Sequence, residues 1–311
     1  MLIFNQNDYC IEYTKELLSS YFDMKDMGVA DTILGFNIHR CIDAYAISQS
    51  LYLEKILNKF KHLFEKISRV PYNPSLKLEI NNDRCVAQLE YSQVIGSLMH
   101  AMHCTRPDIA FAVGKMSRYT SCPSSEHWKA ISNVLGYLKA TKSYALFYGG
   151  SPSVVEGYSD ANWNYVDDGS KSTSGWIFTL GGAAITWASK KQTCITHSTM
   201  ESELVALGAA GKEAEWLKNF LVELPMWQSP MPPISIHYDS QATLLRVYSK
   251  SYNGKSRHIS LRHNTMRQLL EEDTITVAYI KSCSNLADPL TKGLNKDLVH
   301  KTSVEMGLKP L

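Results

Sequence analysis

Four acidic residues stand in four short motifs spread along the second half of the chain. They are Asp160 in GYSDANW, Glu203 in MESELVAL, Asp239 in IHYDSQA and Asp288 in NLADPLTK. Three of them close apolar, strand-like or helix-like runs, where a fold can gather their carboxylates. Carboxylates so gathered repel one another unless a cation neutralises them. An all-oxygen site of this kind prefers Mg²⁺ or Mn²⁺ over softer metals. The pattern is that of a two-metal phosphodiester hydrolase. Each acid alone has a plainer reading. Asp160 and Asp239 fit turns and helix caps, as does Asp288 before Pro289, and Glu203 fits a solvated helix face. Their joint order, each on its matching element, carries the functional reading.

Helix geometry chooses between two glutamates. At about 100° per residue, Glu201 and Glu203 point about 200° apart, so only one faces the sheet. Glu203 shares its side with Ala206, Leu207 and Ala210. That small-residue side is the buried one, which selects Glu203 and leaves Glu201 as the fallback.

The elements that must position these acids follow from periodicity. Residues 144–311 alternate. ALFYGG and VVEGYSDANW read as strands, and TSGWIFTLGGAAITWAS as a hairpin turning at Gly181-Gly182. A long helix starts at Ser198 or Thr199. Then come the strand PISIHYD, the helix SQATLLRVYSK, the helix SLRHNTMRQLLEEDTI, the strand TVAYIK and a last helical piece at LADPLTKGL. A meander followed by alternating helix and strand predicts a mixed sheet with helices on its faces. Residues 89–142 read as three helices, the last capped by Ser125 with Trp128, Ile131, Leu135 and Leu138 as its buried stripe. Residues 1–80 are mixed. MLIF reads as a strand stump and IEYTKELLSSYF as a helix. DTILGFNIH and DAYAISQ read as a hairpin, and SLYLEKILNKF as an amphipathic helix burying Leu53, Ile56, Leu57 and Phe60. The expected division is 1–80, 81–145 and 146–311.

Composition narrows the classes. The chain has 311 residues, 44% hydrophobic and 20% charged, which is ordinary globular material. A net charge of +2 provides no global positive field, so nucleic-acid binding needs a local basic strip. The seven cysteines are scattered and contain no C-x-x-C pair, which predicts reduced thiols in an intracellular, cytoplasmic or nuclear, protein. His100, His103 and Cys104 lack the second ligand pair of a zinc site. No apolar run reaches the roughly 18 residues of a membrane span, and no signal pattern opens the chain.

The run GYSDANW, KSTSGWIF, ITWASKKQ, STMESELVAL, EAEWLKNFL, HYDSQAT, KSRHISLRH and NLADPLTK resembles the RNase H domain of copia-type LTR retrotransposon Pol polyproteins, closest to plant elements. FDMKDMGVADTILGFNI, SLYLEKILNKF, YSQVIGSLMHAMHCTRPDIAFAV and HWKAISNVLGYLKAT resemble the end of that family's reverse transcriptase. Together they cover essentially the whole chain.

The resemblance implies an α/β fold in two parts. A palm-edge and thumb-like α+β remnant precedes a five-stranded mixed sheet with flanking helices. It implies hydrolysis of RNA in an RNA–DNA hybrid with two Mg²⁺ (or Mn²⁺) ions, on Asp160, Glu203, Asp239 and Asp288. It places a primer-contacting hairpin near Leu34-Gly35-Phe36. The family's Tyr-Val-Asp-Asp polymerase segment is not in the sequence, so no polymerase activity is expected. The rest of a Pol polyprotein is an expected partner. The family's late active-site histidine has no counterpart in residues 279–285, which leaves His258 and His263 as the nearest candidates, with His258 at a matching position. Lys171, Lys190, Lys191, Lys255, Arg257, Arg262 and Arg267 are the candidate contacts to a hybrid's phosphates and 2′-hydroxyls. Trp163, Trp176 and Trp187 are expected in the core rather than stacked on bases. The alternative is a catalytically silent relic that binds nucleic acid or nothing.

Overall fold

The computed structural model describes residues 3, 5, 7–76, 78–149, 154–163, 171–225, 227, 230–249 and 257–311, without the side chain of residue 258. The expected strand at MLIF lies mostly outside them. The described fold is mixed α/β, with two five-stranded sheets.

The first sheet begins after helix α1 (Asp8–Tyr21), which buries none of its residues. β1 (Thr32–Ile33) and β2 (Phe36–Arg40) form a hairpin whose two turn residues, Leu34 and Gly35, both have positive φ. That is the backbone twist two-residue hairpins require. β3 (Tyr45–Ser48) pairs antiparallel with β2, as the sequence predicts. α2 (Ser50–Lys59) then buries Leu53, Ile56 and Leu57. α3 (Gln88–Cys104), α4 (Ala110–Met116) and α5 (Ser125–Ala140) follow. The α5 cap is Ser124, not Ser125: its hydroxyl accepts from the His127 N–H, and His127 Nδ1 accepts from the Ser124 N–H. Two adjacent serines give the sequence no means to choose. Trp128 is half-buried.

β4 (Tyr144–Tyr148) extends the first sheet beside β3. The second sheet is built from β5 (Glu156–Asn162), β6 (Thr173–Leu180), β7 (Ala183–Lys191), β8 (Ile234–Tyr238) and β9 (Ile275–Tyr279). Its order is β7-β6-β5-β8-β9. β5, β6 and β7 are antiparallel, turning at Gly181-Gly182 with positive φ, while β8 and β9 run parallel to β5. α6 (Thr199–Val222), α7 (Gln241–Val247) and α8 (Arg257–Glu271) connect these strands. The LADPLTKGL piece is only a 3-10 turn at Asp288–Leu290. The closing helix, α9 (Lys296–Glu305), comes later and leads into β10 (Leu308–Pro310).

β10 pairs with β4, so the chain's last residues complete the first sheet. The division expected between 145 and 146 falls inside β4. A three-residue strand carries no readable period, which is why the sequence does not announce this return.

β6 is buried on both faces. Trp176 and Phe178 join the core under α6 and α8, while Ile177 joins the core shared with α3, α4 and α5. The Trp187 indole donates to the Met102 carbonyl at 2.9 Å across the same junction. Trp176 and Trp187 are thus core residues, as expected. Trp163 is half-buried, with its indole donating to the Thr196 carbonyl.

One cysteine expectation is overturned. Cys85 and Cys122 form a disulfide across 37 residues. Such a pair depends on where the chain returns, and spacing alone does not show that. Among the described residues no helix is long and apolar enough to cross a membrane.

The helical region is pinned by a buried ion pair. Arg106 reaches Asp108 through Nε at 3.0 Å and Nη2 at 2.7 Å, and also donates to the Thr141 carbonyl and hydroxyl. The Tyr137 hydroxyl donates to Asp108. Removing one partner strands a buried charge, at a typical cost of about 3–5 kcal/mol. Asp108→Ala is therefore expected to lower unfolding free energy by that amount in urea titration. A loss of less than about 1 kcal/mol would contradict the account.

Candidate active site

The acids gather at one end of the second sheet. Asp160 lies near the end of β5, the central strand, and Asp239 directly follows β8, the parallel neighbour. Glu203 projects from the second turn of α6. Ligand oxygens of Asp160, Glu203 and Asp239 lie within 4.8 Å of one another. This is the one group of three or more potential metal ligands found among the described residues.

Local structure explains the placement. Ser198 caps α6 by accepting from the Glu201 N–H, while the Glu201 carboxylate accepts from the His197 N–H at 2.8 Å. Glu201 is thereby committed to the helix start. Glu203, half a helix turn on, faces inward at 9% exposure. Gln192 ties the junction, its amide donating to the Ser174 hydroxyl and the Ser202 carbonyl, each at 2.9 Å.

Asp288 arrives on the turn after β9. Asn285 holds that turn against β5 by donating to the Ser159 carbonyl at 2.9 Å, and Asn162 donates to the Thr291 carbonyl. Gly175, paired with Asp160 across β5 and β6, permits the approach. A Cβ there would sit 2.7 Å from Thr291 and 2.8 Å from Leu290. The Thr291 hydroxyl donates to Asp160, and the Ser282 hydroxyl to Asp239. Lys292 Nζ lies 2.9 Å from Asp288 Oδ2. Asn285, Thr291 and Lys292 lie inside the NLADPLTK motif and Ser282 just before it, but as ordinary polar residues they show no role in the sequence. Only their distances to the acids give them meaning.

Electrostatics mark the cluster as short of positive charge. Burial, then the charges of Asp160 and Asp239, push the Glu203 carboxyl up to about 9. Burial and the neighbouring Asp288 raise Asp160, against the pull of Lys292 and Thr291. Burial raises Asp288 too, with Lys292 opposing. Glu203 Oε2 and Asp288 Oδ1 are buried with no hydrogen-bond partner. Unpartnered carboxylate oxygens in an all-oxygen cluster suit a hard divalent cation.

The other candidates are distributed as follows. Asn162, Thr173 and Lys191 are register partners two residues beyond Asp160, so Lys190 and Lys191 lie at the acidic end of the sheet, with Lys171 just before β6. Arg262 packs its side chain over Gly208 of α6, and Met266 over Gly211. The two helices therefore run together, and the start of α8, with exposed Arg257, lies toward the Glu203 end. Arg267 pairs with Glu271, one turn along α8. His263 is buried and donates through Nε2 to the Arg246 carbonyl. Lys255 and the His258 side chain lie outside the described residues. His100 and Cys104 face each other on α3 at 3.7 Å.

No protein-family model matches the chain. It is 38% identical over 301 residues to the Pol polyprotein of transposon TNT 1-94 of Nicotiana tabacum, covering 94% of this chain and 22% of that protein. The Pol polyprotein of transposon RE2 of Arabidopsis thaliana is 29% identical over 310 residues, 99% of this chain and 21% of its own length. Among solved structures, RNase H1 of Halobacterium salinarum aligns with 44% of this chain and 93% of its own, at a TM-score of 0.33 and 19% identity.

The raised carboxyls have a consequence for stability. Glu203 keeps its proton in the folded chain up to about 9, whereas it loses it near 4.5 when unfolded. At Glu203 the folded state holds more protons across that window, so this residue's contribution to metal-free stability falls as pH rises from 4.5 toward 9. Glu203→Gln is expected to flatten that slope in thermal melts with chelator present. An unchanged slope in Glu203→Gln would contradict the site as described.

Proposed function

The chain belongs to the plant retrotransposon Pol polyproteins, of whose length it spans about a fifth, and on that premise we propose that it is an RNase H: a divalent-metal-dependent endonuclease cutting the RNA strand of an RNA–DNA hybrid. One observation carries the reading. Three carboxylates from three separate elements converge within 4.8 Å at the end of the central strand, with a buried unpartnered oxygen on Glu203.

Asp160, Glu203 and Asp239 would hold the first of two Mg²⁺ or Mn²⁺ ions, and Asp288 would share in the second. Bound there, such ions activate water and offset charge gathering on the scissile phosphate. The remaining work belongs to the chain. Lys171, Lys190 and Lys191 at the acidic end of the sheet suit the phosphates of a hybrid, and the α8 segment with Lys255, Arg257, Arg262 and Arg267 flanks the other side. We assign His258, close to the α8 start, to proton transfer during product departure. Thr291 and Ser282 hold the carboxylates in place by donating to Asp160 and Asp239.

We assign this activity to residues 146–311, with 1–80 as a palm edge and 81–145 as a thumb-like connection. Asp8, Asp23, Asp26, Asp31 and Asp43 are all exposed. Asp26 pairs with Lys15 and Asp31 with Arg40, which supports reading them as surface residues. Because β10 and Trp187 bind the two parts together, the whole chain is the object to test.

The purified chain is expected to cut RNA in a hybrid with Mg²⁺ or Mn²⁺ and to lose that activity in EDTA. Asp160→Asn should slow cleavage on the order of 10³-fold, about 4 kcal/mol in the barrier. Glu203→Gln should be far more damaging than Glu201→Gln. Undiminished cleavage in EDTA, or the reverse ranking of the glutamates, would overturn the proposal.

A further inference from the structure

The acid cluster already contains one cation. Lys292 Nζ sits 2.9 Å from Asp288 Oδ2, with 40% of the lysine side chain and 15% of the aspartate side chain exposed. Asp160 and Asp239 also act on the ammonium, and its charge reaches Glu203. The three acids that close to within 4.8 Å of one another do not include Asp288. The lysine's direct ion pair is therefore with Asp288, outside the triad, while its charge also reaches the three acids.

The backbone keeps Lys292 there. Its N–H and that of Thr291 both reach the Asp288 carbonyl, at 3.2 and 3.1 Å, while the Thr291 hydroxyl holds Asp160. On its other side Gly293 lies against Tyr72 and Pro74, where a Cβ would come within 2.9 Å of the tyrosine ring. The lysine cannot be carried away without moving the turn that brings Asp288. Its partly exposed stem still lets the head group swing toward solvent.

We infer that Lys292 is a resident counter-cation: in the nucleic-acid-free chain its ammonium holds the Asp288 side of the cluster and limits the site to one tightly bound divalent ion, on Asp160, Glu203 and Asp239. A second dication at Asp288 meets a like charge and binds well only when the ammonium leaves. Entry of the second ion is thereby coupled to displacement of Lys292, and the phosphate backbone of a bound substrate offers the displaced ammonium a new anionic partner. This inference rests on the metal-centre reading above.

Mn²⁺ binding to the full chain, followed by electron paramagnetic resonance without nucleic acid, tests it. The unaltered chain should take one tight ion. Lys292→Met should take two, or bind the second at least about tenfold tighter, while Lys292→Arg, which keeps the charge, should behave as the unaltered chain does. Equal ion numbers and affinities in Lys292→Met and the unaltered chain would overturn the inference, as would two equally tight ions, or none, in the unaltered chain. Should Lys292→Met fail to fold, acylation of the unaltered chain by an N-hydroxysuccinimide ester, read by mass spectrometry, replaces it. Lys292 labelling should rise as Mn²⁺ goes from one equivalent to saturation, and constant labelling would overturn the inference. These readouts need no hydrolysis. A chain that counts ions as expected but leaves hybrids uncut refutes the nuclease and not the lysine's role. Cleavage with an unaltered ion count in Lys292→Met does the opposite.

Discussion

Holding like charges together is the constraint on which the second half of the molecule is built. Asp160, Glu203 and Asp239 would separate if their elements were free, because each ionised carboxylate raises the cost of ionising the next. The fold forces the contact by using its stiffest parts. Asp160 lies on the central strand, Asp239 at the end of its parallel neighbour, and Glu203 on the long helix across the sheet. Burial first, and the repulsion with it, push the Glu203 carboxyl up and favour a retained proton there, and its Oε2 has no partner. The same stored tension is what a divalent ion would relieve, so affinity for the ion and instability without it have one origin.

The turn carrying Asp288 shows how the first sheet enters this arrangement. It is held to β5 by Asn285, admitted by the missing side chain of Gly175, and followed by Gly293 against Tyr72. From there the chain runs through α9 into β10, which pairs with β4. Tyr72 also belongs to the core shared by α3, α4 and α5. The acidic end of the second sheet and the helical region are consequently one packed body. The segment around Tyr72 thus steadies the turn that carries the fourth acid.

Much of this was legible in the sequence because periodicity and small-residue patterns are local. The hairpin at Gly181-Gly182, the start of α6 at Ser198 or Thr199 and the inward face of Glu203 all follow from short-range rules, and the described structure has each of them, with Ser198 as the cap. What escaped was non-local or too short. β10 is three residues long, and the Cys85–Cys122 bridge spans 37 residues. Thr291 and Lys292 are separated from Asp160 by over 120 positions, so no window along the chain connects them. Motif reading found the acids. It could not show which polar groups hold them, even those inside NLADPLTK, since their contacts are set by geometry alone.

On the function proposed above, the carboxylates of Asp160, Glu203 and Asp239 would form a divalent-ion site. Crystals of the full chain soaked in Mn²⁺ and measured at a wavelength where manganese scatters anomalously test it directly. A strong anomalous peak is expected, bounded by oxygens of those three residues at the roughly 2.0–2.3 Å of small, hard divalent ions. Absence of a peak there at saturating Mn²⁺, with the three side chains ordered, would contradict it.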